Sequence, residues 1–209
     1  MNIKKRRERE IEEMRELILK AASNIISDEG LDKLSIRKIA KKIKYSPSIL
    51  YHYFNDKEEI LNNVMKRGYK KIISAVSSAE LKDTSPEERL VQMTKNYIIA
   101  TLKMPDEFMV AQLSKSEEAL RHTSFLFKGA VREKPALSLL YQCLKDIYKN
   151  EEIEEDRIEL TAQSIAVSTL GLIIKIIVEK DIGEEQKQRI IDFFSEEIIL
   201  RIVNDSRTK

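Results

Sequence analysis

The chain has 209 residues, 42% of them hydrophobic, so it can bury a core, and its net charge of +2 points by itself to no polyanionic partner. A single cysteine excludes an intrachain disulfide and fits a reducing compartment. With only 5 glycines and 4 prolines, turn and strand punctuation is rare, and Lys, Glu, Ile and Leu favour helix, so an all-α fold is expected.

Residues 1–7 read as a short basic arm, and the absence of an apolar stretch in residues 1–10 predicts no signal peptide. A first helix is predicted over 8–28, where Met14, Leu17, Ile18, Ala21, Ala22, Ile25 and Ile26 recur at i, i+3, i+4 and i+7. Gly30 follows, where a helix end favours a residue tolerant of positive φ. A second helix opens on Ser35 as N-cap and runs to Ile43. Ile36, Ile39, Ala40 and Ile43 line one side, and Arg37, Lys38, Lys41 and Lys42 the other. The third helix opens on Ser46, with Pro47 at its first position, and ends near Phe54. Leu50, Tyr53 and Phe54 are expected inside; Pro47, Ser48, Tyr51 and His52 form the opposite face. Only Lys44 and Tyr45 separate the second and third helices, which forces a sharp crossing.

Charge is distributed unevenly over this segment. No acidic residue lies between Asp32 and Asp56, while Lys33, Arg37, Lys38, Lys41, Lys42 and Lys44 do. A local cationic patch on a near-neutral chain suits a phosphate backbone, and a solvated helix face is the other reading.

Asp56 with Glu59 gives a capping-box pattern for a helix to about residue 78, and Gly68 inside it permits a bend or a close contact. Residues 80–84 read as a polar linker, and Ser85-Pro86-Glu87-Glu88 then opens a helix to about 103. Pro105 starts a short helix, residues 114–134 carry no clear period, and Pro135 opens a helix to about 149. After an acidic connector at 150–156 a long helix is expected over 155–180, and after Gly183 a last one over 184–203. The apolar run 165–178 is interrupted by Ser168, Thr169 and Lys175, and falls short of the roughly 20 residues of a membrane span. A soluble, cytoplasmic protein with no membrane partner is therefore expected.

The long helix is apolar nearly all round, so it needs cover on every side. Ser164, Ser168 and Gly171 form a small-residue stripe, and Ile190, Phe194 and Ile198 lie on the last helix. Together they predict a two-fold interface with two helices from each subunit, hence a homodimer; plain core is the alternative.

The segment 18–61, ILKAASNIISDEGLDKLSIRKIAKKIKYSPSILYHYFNDKEEIL, resembles the TetR family of one-component regulators, most closely over SPSILYHYFNDKEEIL. The resemblance implies an N-terminal helix-turn-helix DNA-binding domain, placed at residues 1–55, and a C-terminal helical ligand-binding and dimerisation domain at 56–209. It implies a homodimeric repressor that leaves a palindromic double-stranded DNA operator on binding a small molecule. It places Arg37 at a base edge and Ser35, Tyr51, His52, Tyr53 and Lys57 on phosphates. Tyr51 and Tyr53 also read as packing aromatics, and His52 as a plain surface residue. Lys38, Lys41 and Lys42 add general attraction, and Lys44 adds a charge beside the backbone. Ser46, Pro47, Ser48 and Ile49 form the helix start that would meet base edges. Where the family commonly has Gly then Val in the turn, this chain has Lys44-Tyr45, which puts Lys44 at positive φ and alters the pitch of the third helix.

In the family the effector lies among the middle helices. Tyr97, Leu102, Met104, Phe108, Met109, Leu113, Phe125, Phe127, Tyr141 and Cys143 are the candidates, with plain core as the alternative for each. Few charges lie among them, so a hydrophobic effector is expected, with His122 as a possible orienting group. One cysteine and two histidines make a metal site unexpected, and no cofactor is called for. No P-loop, glycine-rich nucleotide turn, nucleophile elbow or HExxH motif is present, so no enzyme is expected. The competing readings are an all-α protein-interaction module and a DNA-binding regulator without a ligand.

Pro47 and Ile49 are apolar and suit thymine methyls, while Arg37 suits guanine. Binding-site selection should return half-sites with A·T-rich centres and a guanine whose preference relaxes in Arg37→Ala, at a cost of about 1–3 kcal/mol. G·C-rich half-sites lacking such a guanine would refute the assignment.

Overall fold

The computed structural model describes residues 3–79, 84–114, 117–179 and 181–207. Most of the linker expected at 80–84 lies outside the described residues. Among those residues every regular element is helical. The helices are α1 (Ile3–Glu29), α2 (Ile36–Ile43), α3 (Pro47–Leu50), α4 (Lys57–Ser77), α5 (Pro86–Leu102) and α6 (Pro105–Leu113). They continue with α7 (Glu117–Thr123), α8 (Ala130–Glu133), α9 (Pro135–Ile147), α10 (Glu155–Val178), α11 (Glu184–Phe193) and α12 (Ile199–Asp205).

Two boundaries differ from expectation for clear reasons. α1 starts at Ile3, so residues 3–7 of the expected free arm are helical. No glycine or proline interrupts this stretch, and Arg6–Glu10 and Arg9–Glu13 pair along it at 2.8 Å. The unreadable 114–134 region holds two short helices, α7 and α8, too brief for a 3.6-residue period to register.

Contacts divide the chain into two compact units, Met1–Gly68 with Met104–Arg121, and Tyr69–Lys103 with His122–Lys209. A division at residues 1–55 and 56–209 does not describe this packing. The first half of α4 belongs with α1–α3, because Ile60, Leu61, Val64 and Met65 share their core. That core also takes Ile18, Ala22, Ile25 and Ile26 of α1, Ile39 and Ala40 of α2, and Leu50 and Phe54. Ala119 of α7 completes it, with Val110 and Ala111 of α6 against its edge. Gly68 sits in a close approach here: a Cβ would lie 3.2 Å from the Met104 sulfur, so the methionine side chain would have to shift by a few tenths of an ångström.

In the second unit α5, α9 and α10 pack on one another around Leu90, Ile98, Leu144, Ile165 and Ile173. Ser85 and Glu88 form a reciprocal capping box at the start of α5, as its sequence predicts. The 24 residues of α10 are apolar enough to cross a membrane, which corrects the shorter reading of 165–178. On one side α10 buries Ile158, Ala162, Ile165, Ile173 and Ile176. Gln163 Nε2 donates to the carbonyls of Phe125 (2.9 Å) and Phe127 (3.0 Å), fixing the segment before α8. A π-helical turn, Phe194–Ile198, joins α11 to α12. Lys95 Nζ pairs at 2.6 Å with both Asp192 and Glu196 beside it. Beyond the turn, Ile199 and Val203 are buried, and the Tyr148 hydroxyl donates to the Val203 carbonyl at 2.9 Å.

Lys44 has φ 61° and ψ 40°. Its amide donates to Lys41 O at 3.3 Å and that of Tyr45 to Ala40 O at 2.9 Å, which is the paired bonding of a Schellman motif. A side chain at this left-handed position costs roughly 1–2 kcal/mol that glycine avoids. Lys44→Gly should therefore raise the free energy of unfolding by about 1 kcal/mol in urea titration. A lower stability would show that the Lys44 side chain makes a stabilising contact worth more than the strain.

Candidate functional site

The α2–α3 segment shows a buried side and an exposed one. Ile39, Ala40, Leu50 and Phe54 are at most 1% exposed, and Ile36, Ile43 and Tyr53 pack partly against the same core. Ser35, Arg37, Lys44, Ser46, Pro47, Ser48, Tyr51 and His52 are exposed; Lys38, Ile49 and Lys57 are half-buried. Tyr51, at 57%, exposes a large apolar ring to solvent, whereas Tyr53 combines packing with partial exposure.

Local chemistry sets this arrangement. Ser35 Oγ accepts from the Lys38 amide at 3.2 Å, a true N-cap. Ser46 does not cap α3 as expected; its Oγ shares a 2.8 Å bond with Ser48 Oγ instead. Regular helix ends at Leu50, short of Phe54, yet the chain coils on through His52 N to Ile49 O (3.1 Å) and Phe54 N to Leu50 O (3.0 Å). At the start of α4, Asp56 Oδ1 accepts from the Glu59 amide, and Glu59 Oε2 accepts from the Asn55 amide, each at 2.8 Å. The capping box is thus closed one residue earlier than the sequence places it.

Two features escape a reading confined to residues 32–56. The first is charge cancellation. Lys38 pairs with Glu29, and Lys42 Nζ lies 3.1 Å from Asp28, so the end of α1 neutralises one edge of α2. Among the described residues Lys33, Arg37, Lys41 and Lys44 form no ion pair, and they carry the positive charge of this patch that remains available. The second is Arg15 of α1. Its guanidinium donates to the Tyr53 carbonyl, lies 4.1 Å from the centre of the Phe54 ring and reaches Glu59 at 3.5 Å. One side chain thus ties the end of the α3 coil to α1 and α4. Only the i, i+4 pattern of α1 hinted that Arg15 neighbours the buried Ile18 and Leu19.

The effector candidates fall in both units. Met104, Phe108, Met109 and Leu113 belong to the first; Tyr97, Leu102, Phe125, Phe127, Tyr141 and Cys143 belong to the second. Leu113 is a correction: it ends α6 and is 70% exposed, so it is not a lining residue of its unit. Phe108, Tyr141 and Cys143 are buried; the others are half-buried. Cys143 Sγ donates to the Pro86 carbonyl at 3.3 Å, and burial pushes its thiol pKa up. Burial, and then the nearby Tyr69 phenol, push the Tyr97 hydroxyl up to about 12. Tyr69 was not among the candidates; its ring lies 5.6 Å from that of His122, and burial raises its pKa as well. Among the described residues no group of three His, Cys, Asp or Glu is placed to hold a metal ion.

On α10 the exposed side runs Leu160, Ser164, Val167, Gly171, Lys175 and Val178, with Leu160 62% and Val178 60% exposed. Ser168 is half-buried and stands off this stripe. On the last helix Ile190, Phe194 and Ile198 are half-buried, and Phe193, 61% exposed, is the most open apolar side chain beside them.

Residues 18–64 match the profile of a family described as bacterial regulatory proteins, tetR family. The chain is 30% identical over 82 residues to the HTH-type transcriptional regulator PksA of Bacillus subtilis (strain 168), covering 39% of this chain and 40% of that protein. It is 38% identical over 56 residues to the HTH-type transcriptional regulator HbdR of Aromatoleum sp. (strain CIB), covering 27% of this chain and 24% of that one. These matches thus span less than half the length of either curated relative. Its fold is similar to that of the fatty acid degradation regulator FadR from Bacillus halodurans, with a TM-score of 0.68 at 18% identity, over 90% of this chain and 94% of that one.

Removing the Arg15 clamp should loosen the end of the α3 coil first. Arg15→Ala is expected to cost about 1–3 kcal/mol and to speed hydrogen exchange at the Tyr53 and Phe54 amides. Arg15→Lys should recover only part of that protection, since an ammonium lacks the planar fork. Unchanged exchange at both amides in Arg15→Ala would show that Leu50 and Phe54 alone hold the coil.

Proposed function

We propose that this chain, whose residues 18–64 match the tetR-family profile, is a homodimeric, cytoplasmic transcriptional repressor of that family, released from a palindromic operator by a small apolar ligand. The observation that carries this reading is the two-sided α2–α3 segment. Its buried side locks into the α1–α4 core, and its exposed side offers unpaired Arg37, Lys41 and Lys44 beside Ser48, Tyr51 and His52. A helix presented in this way fits the major groove, with its first residues at base edges. Arg37 reads a base. Ser35, Tyr51, His52, Tyr53 and Lys57 hold phosphates, and Lys41 and Lys44 add salt-dependent attraction. Lys38 is a weaker contributor, because Glu29 already holds it.

The dimer forms through α10 and the last helix of each copy. Leu160, Ser164, Val167 and Gly171 present an apolar, partly small-sided face that permits close helix approach, with the Lys175–Glu179 pair and Val178 at its end. In the second unit the effector contacts half-buried Phe125, Phe127 and Leu102, and hydrogen-bonds within the Tyr69, Tyr97 and His122 cluster. The ligand is thus apolar with one polar end.

A mobility shift on the DNA upstream of its own gene should show binding that weakens steeply with salt, and apolar ligands that raise the melting temperature should release it. Val167→Glu should sediment as a monomer and lose operator affinity while keeping its helical content. Salt-insensitive binding, or none, would refute the DNA-binding reading, and an unaltered dimer in Val167→Glu would refute the α10 interface.

A further inference from the structure

α1 outruns its own core. Residues 4–13 are all exposed; Met14 is the first side chain to touch the core, and Ile18 the first to be fully buried. Nothing packs against these opening turns that would account for them by hydrophobic burial. Their charges oppose a helix as well. Lys4, Lys5, Arg6 and Arg7 crowd the positive end of the helix dipole, and the first turn holds no acid. The acids Glu8, Glu10, Glu12 and Glu13 come later. Both ion pairs, Arg6–Glu10 and Arg9–Glu13, run cation first, the weaker order along a helix. A surface of this kind is completed by negative charge from outside.

Its position favours one source of that charge. The Arg15 contact with the Tyr53 carbonyl and the Phe54 ring sets α1 against the end of the α3 coil. At 1.5 Å per residue, the helix carries Lys5 about 15 Å beyond Arg15. That distance matches the rise of roughly four nucleotides along one DNA strand. The basic turns therefore begin within about 15 Å of the contact that ties α1 to the end of the segment carrying Tyr51 and His52.

We propose that residues 4–9 are a second grip on the DNA backbone, in which Lys4, Lys5, Arg6, Arg7 and Arg9 dock on phosphates flanking the half-site. This rests on the DNA-binding reading above. Arg6 and Arg9 exchange Glu10 and Glu13 for phosphate oxygens, which exposed i, i+4 pairs permit at little cost. The contact is independent of base sequence, so it adds affinity and salt dependence and leaves the preferred operator unchanged.

The test compares the full-length protein with K4Q/K5Q/R6Q/R7Q/R9Q by fluorescence anisotropy on a mixed-sequence duplex across a salt series. The slope of log K against log salt should fall by about four to five for each arm that docks, at roughly 0.9 per phosphate released. The melting temperature should stay that of the unaltered protein, since these side chains touch no core. The charge-keeping variant K4R/K5R/R6K/R7K/R9K should retain the full slope. An unchanged slope in the glutamine variant overturns the proposal while leaving helix-turn-helix binding intact, as does an equal loss in the charge-keeping variant. So does loss of binding to anionic phospholipid vesicles at an unaltered DNA slope, which would assign the arm to a membrane surface. If the unaltered protein shows no salt-dependent binding at all, the regulator reading fails and this proposal with it.

Discussion

The four residues of α3 cannot hold a helix by themselves, because a first turn fixes several dihedrals for a single hydrogen bond. Its geometry is borrowed from its neighbours. Leu50 and Phe54 anchor it from below, the left-handed Lys44 fixes its entry, and Arg15 ties down its exit. Arg15 comes from α1, and Leu50 and Phe54 hold only because residues of α1, α2 and α4 form the core they enter, so the exposed Ser48, Tyr51 and His52 have defined positions only when the whole first unit is folded. Reading of DNA and folding of that unit are in this sense one property.

What the sequence made legible follows the range of the forces involved. Short-range rules carried well. The Ser35 cap, the positive φ of Lys44, the Ser85–Glu88 box and the close approach at Gly68 all depend on a few adjacent residues or on one backbone position. The inward set of Ile39, Ala40, Leu50 and Phe54 followed from helical period. Contacts between distant residues were hidden. Asp28 and Glu29 sit outside the acid-free window, yet they neutralise Lys42 and Lys38 within it. Arg15 has the look of any surface arginine on a charged helix until Tyr53 and Phe54 are brought to it.

The candidate effector residues show another limit. Their apolar character is real, but composition does not say which compact unit owns them, and it cannot separate Leu113 at an exposed helix end from buried Phe108 in the same helix. The two phenols and the imidazole of Tyr69, Tyr97 and His122 were separable only once the fold placed them together. The stripe on α10 was half legible: Ser164 and Gly171 lie on the exposed face, and Ser168 sits half-buried at its edge, because each four-residue step advances about 40° around the helix.

The π turn at Phe194–Ile198 lets the end of the chain absorb one residue without losing its place. Such a turn holds one residue more than a regular helix would over the same span. Deleting a single residue there would restore an unbroken α-helix and leave everything downstream close to its present phase. Ile199 and Val203 would stay in the core, and the Val203 carbonyl would still receive the Tyr148 hydroxyl. Threaded into an unbroken α-helix, the same extra residue would instead rotate everything beyond it by about 100° and push it out by about 1.5 Å. Homologous chains that lack the extra residue should therefore keep the hydrophobic phase of their last two turns.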